Sequence, residues 1–135
     1  YKIVTKMRRE KCMNILIVDD EIAVTNSLKR ELSDCCAELN IICVNGGYEA
    51  LNQIMTRKIH LLLTDLAMPD MNGYELFSRA QEYDPKMPII MMTGFGYDPN
   101  HIVVKSKQKG LTDVVFKPFN MEKLLALIKF KLGLK

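Results

Sequence analysis

Residues 61–73 read LLLTDLAMPDMNG. Three leucines and Thr64 run into a single acid, Asp65, and a Met-Pro turn and an Asn-Gly pair follow. An unbroken apolar run of this length, bounded by turn residues, has the pattern of a strand buried on both faces, as in a parallel sheet. A carboxylate closing such a strand is costly unless it sits at the sheet rim among partners. Ligands of open parallel sheets bind at the carboxyl ends of the strands. Asp65 is therefore the first candidate functional residue, and the other strand ends decide what surrounds it.

Four more apolar runs share this character: ILIV at 15–18, IICV at 41–44, IIMM at 89–92 and VVF at 114–116. None alternates polar with apolar residues, and helix-like segments separate them. Five strand–helix repeats predict a doubly wound α/β domain with a five-stranded parallel sheet and helices on both faces. The first helix is expected over 23–38, with Ile22, Leu28, Leu32 and Leu39 on its apolar stripe. Asn45-Gly46-Gly47 reads as a turn before a helix with Ala50, Leu51, Ile54 and Met55 inward. Asn72, with Glu75 three residues on, resembles a capping box ahead of Tyr74, Leu76, Phe77 and Ala80. Asp84-Pro85 is expected to end that helix, and Pro88 to open the fourth strand. A further helix is expected from about Pro99-Asn100 to Lys109-Gly110. Asn120 is expected to cap a last helix with Met121, Leu124, Leu125, Ile128 and Leu132 inward, and Leu127 and Phe130 off the stripe.

The 135 residues suit one domain, and 48% hydrophobic with 26% charged residues is ordinary for a globular protein. No apolar run approaches the ~20 residues of a membrane span. No long apolar stretch follows the basic first twelve residues, so no secretory leader is read there. Lys2, Lys6, Arg8, Arg9 and Lys11 against Glu10 give those residues +4; the net charge of +3 leaves −1 on the rest. Residues 1–12 are thus read as a basic tail or linker and 13–135 as the domain. A domain body that is not basic gives no reason to expect nucleic-acid binding. Cys12, Cys35, Cys36 and Cys43 form no C-x-x-C pair, and no histidine sits at metal-ligand spacing, which argues against zinc. Cys43 reads as a small core residue, and a reduced, cytoplasmic chain is expected.

The strand ends collect Asp19 and Asp20 with Glu21 next, then Asn45, Asp65, Thr93 and Lys117. Parallel strands put them all on one edge. Clustered carboxylates repel and invite a hard divalent cation such as Mg²⁺, which bridges readily to phosphate. Lys117 could neutralise phosphoryl oxygens, Thr93 could donate to one, and Asp65 could form an aspartyl phosphate. Each residue also has a plainer reading. Asp20 could cap a helix, Thr93 and Asp65 could begin turns, and Lys117 could be a solvated lysine. The specificity lies in finding them together.

VDDE at 18–21, TDLAMPDMNG at 64–73, MTG at 92–94 and KPF at 117–119 resemble the response-regulator receiver domain of two-component and phosphorelay signalling. The resemblance spans about residues 13–133. It implies the flavodoxin-like strand order 2-1-3-4-5, which a member of this family exemplifies. It implies that Asp65 takes a phosphoryl group from a histidine kinase or histidine phosphotransfer domain, with Mg²⁺ (or Mn²⁺) on Asp20, Asp65 and the Ala67 carbonyl, and Asp19 through water. It assigns phosphoryl contacts to Thr93 and Lys117 and a cis peptide before Pro118. It further implies self-phosphorylation from phosphodonors and autodephosphorylation, but no turnover of small molecules. One position departs from the pattern. Val114 stands three residues before the lysine, where receivers often carry Tyr or Phe as a switch.

Two other classes fit less well. Haloacid-dehalogenase-like phosphatases share the Asp, Thr, Lys and Mg²⁺ set but need an acid two residues after the nucleophile, where this chain has Ala67. A flavin- or nucleotide-binding module needs a longer glycine-rich loop than Asn45-Gly46-Gly47 or Gly94-Phe95-Gly96 supplies. Within the receiver reading, both a stand-alone regulator and a receiver of a hybrid histidine kinase stay open.

Overall fold

The computed structural model describes residues 12–94 and 113–134. Its elements are β1 (Met13–Val18), α1 (Ile22–Cys35), β2 (Leu39–Val44), α2 (Gly47–Thr56), β3 (Leu61–Asp65), α3 (Gly73–Tyr83), β4 (Ile89–Thr93), β5 (Asp113–Phe116) and α4 (Met121–Leu132). The helix expected near 99–110, the loop from Phe95 and the basic tail up to Lys11 lie outside the described residues. All strand pairings are parallel, in the order β2-β1-β3-β4-β5.

β1, β3 and β4 are mainly apolar because both faces of the sheet are covered there. β5, at the sheet edge, departs from the expected two-sided burial, being only partly buried with Phe116 65% exposed. Leu16, Val18, Leu62 and Met91 pack with Ala50, Ile54, Leu76 and Phe77 of α2 and α3 on one face. Ile15, Ile17, Leu61, Leu63 and Ile90 pack with Leu28, Leu32, Leu124 and Ile128 of α1 and α4 on the other. This two-sided burial is the main driving force for the fold. It aligns the carboxyl ends of β1, β3, β4 and β5 on one edge.

The caps follow the sequence closely. Asn72 accepts a hydrogen bond from the Glu75 N–H, and Asn120 accepts one from the Lys123 N–H. The Glu75 side chain does not complete a reciprocal box; it pairs with Arg79 one turn on.

Three expectations fail in detail. α1 stops at Cys35 rather than 38, and Leu39 opens β2 opposite Met13 instead of closing the helix stripe. Ile22 is 61% exposed, because α1 buries Thr25, Leu28 and Leu32 instead. Met55 is 56% exposed, since Ala50 and Ile54 take the inward face of α2. In each case an apolar residue stands beside a periodic run, and only packing shows which neighbour faces the sheet.

Candidate functional site

β1 ends at Val18, and Asp19 follows fully buried. Its Oδ1 accepts from the Glu21 N–H at 3.0 Å, its Oδ2 meets Lys117 Nζ at 2.7 Å, and its backbone oxygen accepts from Asn45 Nδ2 at 2.9 Å. Asp20 is exposed and stands outside the α1 cap, because the helix begins after Glu21. The plainer reading of Asp20 as the helix cap therefore fails.

Asp65 closes β3, is 7% exposed, and places Oδ1 3.2 Å from Lys117 Nζ. Lys117 thus holds two acids at once, and its own position is set by its N–H bond to the Thr93 carbonyl at 2.6 Å. The Lys117–Pro118 peptide is cis. Thr93 is buried at the end of β4, and its hydroxyl finds no hydrogen-bond partner among the described residues. A buried hydroxyl without a partner is costly, and a ligand oxygen would satisfy it.

Asp20, Glu21, Asp65, Ala67, Thr93, Lys117 and neighbouring backbone line a cavity of about 460 Å³. One carboxylate oxygen from each of Asp19, Asp20 and Asp65 lies within 4.8 Å of the others. An all-oxygen, triply acidic donor set of this spacing suits a hard divalent cation such as Mg²⁺ or Mn²⁺. The residues present therefore fit such a cation by their donor chemistry.

Electrostatics agree with a site poised for charge compensation. Burial, and then the charge of Asp19, push the Asp65 carboxyl up to about 6, against the opposing pull of Lys117 and the Leu66 N–H. Burial alone would lower Lys117. The hydrogen bond to Asp19 and the charges of Asp65 and Asp19 outweigh it, so the ammonium is raised. One lysine leaves three acids undercompensated, and a cation would relieve that excess.

Known proteins carry the same pattern. The family described as response regulator receiver domain matches residues 15–129. This chain belongs to that family. It is 31% identical over 112 residues to the DNA-binding transcriptional regulator NtrC of Klebsiella pneumoniae, covering 83% of this chain and 23% of that one. It is 29% identical over 118 residues to the transcriptional regulatory protein GlrR of Escherichia coli, covering 87% and 26%. The receiver chain thus spans about a quarter of the length of these two relatives. Among solved structures, a CheY-like receiver domain protein from Methanospirillum hungatei superimposes with a TM-score of 0.83 at 34% identity, covering 90% of this chain and 94% of the other. The histidine kinase or phosphotransfer partners expected of receivers are shared by the family in general.

Two residues around the receiver site carried no assigned role in the sequence. Asn45, read from the sequence as a strand end and turn residue, ties the Asp19 carbonyl to the end of β2. Asp70 accepts from the Gly47 and Tyr48 N–H groups at 3.2 Å each. Its signal was indirect: a helix beginning at Gly46-Gly47 has no capping side chain of its own.

Proposed function

We propose that Asp65 is a phosphoacceptor that takes a phosphoryl group from a phosphohistidine on a histidine kinase or phosphotransfer protein, in a Mg²⁺-dependent reaction that relays a signal. The observation that carries this reading is the arrangement of Asp65. It shares Lys117 with Asp19, and it lines one cavity with the unpartnered hydroxyl of Thr93.

Asp19, Asp20, Asp65 and the backbone carbonyl of Ala67 would hold the cation. When bound, it would neutralise the acids and draw negative charge off the phosphoryl oxygens. An ionised Asp65 oxygen attacks phosphorus; the phosphorus–nitrogen bond breaks, and its electron pair stays with the imidazole. Lys117 changes partner, releasing Asp65 Oδ1 for a phosphoryl oxygen while keeping Asp19. Thr93 donates its unused hydrogen bond to another oxygen. Ala67 supplies no proton donor two residues past the nucleophile, which disfavours multiple-turnover phosphatase chemistry.

Whether the domain acts as a switch or passes the group onward within a hybrid kinase is a matter of the surrounding protein. Residues 13–135 serve as the receiver unit in either case, in the cytoplasm. Among the described residues, no helix is long and apolar enough to cross a membrane.

The test is incubation with acetyl phosphate, with and without Mg²⁺. The parent chain is expected to gain one acid-stable, base-labile phosphoryl group only with the cation, and Asp65→Asn to gain none. Equal labelling of parent and variant would overturn the assignment.

A further inference from the structure

We infer that Asp70 is a positioning residue for the phosphoacceptor loop, acting by fastening residues 66–72 to the start of α2. This rests on the phosphoacceptor reading of Asp65 and deepens it.

The loop leaves β3 directly behind Asp65 and carries Ala67. It is closed at its base by the Gly73 N–H bond to the Leu66 carbonyl at 2.7 Å. Its far side is held by Asp70, whose two oxygens each accept one N–H of α2, from Gly47 and from Tyr48. α2 has no capping side chain within its own segment, because its N-cap is Gly46. Asp70 supplies the cap from another loop, so one carboxylate both satisfies the helix end and anchors the loop.

The fit at this junction is close. A Cβ on Gly46 would lie 3.0 Å from Asp70 Oδ2, and one on Gly47 would lie 2.8 Å from Met71 Cβ. A Cβ on Gly73 would lie 2.8 Å from the Asp65 carbonyl oxygen. The loop is therefore seated against bare backbone on both sides, and Met71 is buried at 3% exposure in that seat. Asp70 itself is exposed and is not among the residues lining the acidic cavity. Its effect on Asp65 and Ala67 must pass through the loop backbone.

A cap and an anchor can be separated. Gly46 has φ −159° and ψ 161°, an extended conformation open to any residue. Once Asp70 is removed, its clash with a new Cβ disappears, so Gly46→Ser can give α2 a cap of its own. Three variants are compared with the parent well below their melting temperatures: Asp70→Ala, Asp70→Asn, and Gly46→Ser with Asp70→Ala. The readouts are melting temperature, Mg²⁺ affinity from amide shifts of Leu66 and Ala67, and the phosphorylation rate from acetyl phosphate at saturating Mg²⁺.

Asp70→Ala is expected to lower Mg²⁺ affinity by about tenfold, the scale for residues that orient a metal's ligands. The rate at saturating Mg²⁺ should fall as well. Asp70→Asn should recover part of both, since an acceptor oxygen remains. The double variant should recover the melting temperature but neither the affinity nor the rate. Parent-like affinity and rate in Asp70→Ala, or recovery of both in the double variant, would reduce Asp70 to a helix cap and overturn the inference. A parent chain that takes no phosphoryl group overturns the phosphoacceptor reading instead.

Discussion

Asp65 shows how one residue can be costly to the fold and valuable to the site. Its carboxyl is raised to about 6 from the usual 3.8, so the folded state holds the proton more tightly than the unfolded chain. Ionisation then weakens the fold. Without divalent cation, stability should fall as pH rises from about 4 to 6, and the whole penalty should stand above that. Asp65→Asn removes the ionisable group and is expected to be more stable than the parent by roughly 1 kcal/mol at neutral pH. Urea midpoints of both chains at pH 4.5 and 7.5, in chelator, check this: the difference should be larger at 7.5. Thr93 belongs to the same account. Thr93→Val removes a buried hydroxyl that has no partner among the described residues, so it should leave stability unchanged or raise it by up to about 1 kcal/mol. It should slow phosphorylation at the same time. A loss of stability instead would mean that the hydroxyl already serves the fold.

The elements behave as local chemistry demands, with exceptions that need the third dimension. Asn72 and Asn120 were legible as caps because an N-cap acts on residues within one turn. Asn72→Ala should cost about 1 kcal/mol, read as a shift in urea midpoint. The end of α1 was not legible. Cys35, Cys36 and Ala37 carry no Gly or Pro to stop a helix, and Leu39 suits a helix stripe as well as a strand. Its pairing with Met13 decides the matter. Distant contacts such as Asp70 on α2 were illegible for the same reason, since 22 or 23 residues separate the partners. At the opposite edge of the sheet, His60 Nδ1 accepts from the Asn14 N–H at 2.9 Å, which fixes that nitrogen as unprotonated. Burial, and then Lys58, push the imidazole below its usual 6.5. The unfolded chain takes the proton first, so stability attributable to His60 is complete above about 6.5 and is lost as pH falls below it. Lowering pH from 7 to 5.5 in the same urea titration should change the stability of His60→Gln more favourably than that of the parent, the Asp65 contribution being common to both.

At the scale of the molecule, the parallel sheet does the assembling. Asp19, Asp65, Thr93 and Lys117 are far apart in sequence yet meet because their strands run the same way and end on one edge. That much was readable from five apolar runs and the residue leaving each. Val114 stands where receivers often carry an aromatic switch residue. It packs partly buried against the α2–α3 side of the core, beside Met91 in the sheet register. A short β-branched side chain has no ring to swing inward, so a phosphoryl signal is expected to move backbone rather than an aromatic rotamer. Beryllofluoride with Mg²⁺ is expected to shift the amides of Thr93, Gly94 and the β5 residues leading to Lys117. Shifts confined to Asp65 and Leu66 would indicate that the group is held without a conformational response.

Reductive trapping tests, at the residue itself, whether Asp65 carries the phosphoryl group. The chain is loaded with acetyl phosphate and Mg²⁺, treated with borohydride, and digested for peptide mass mapping. An acyl phosphate is reduced to an alcohol, so homoserine is expected at position 65 and unmodified aspartate at 19 and 20. Conversion at Asp19 or Asp20 in place of Asp65, or no conversion in a chain that has demonstrably bound Mg²⁺, would contradict it.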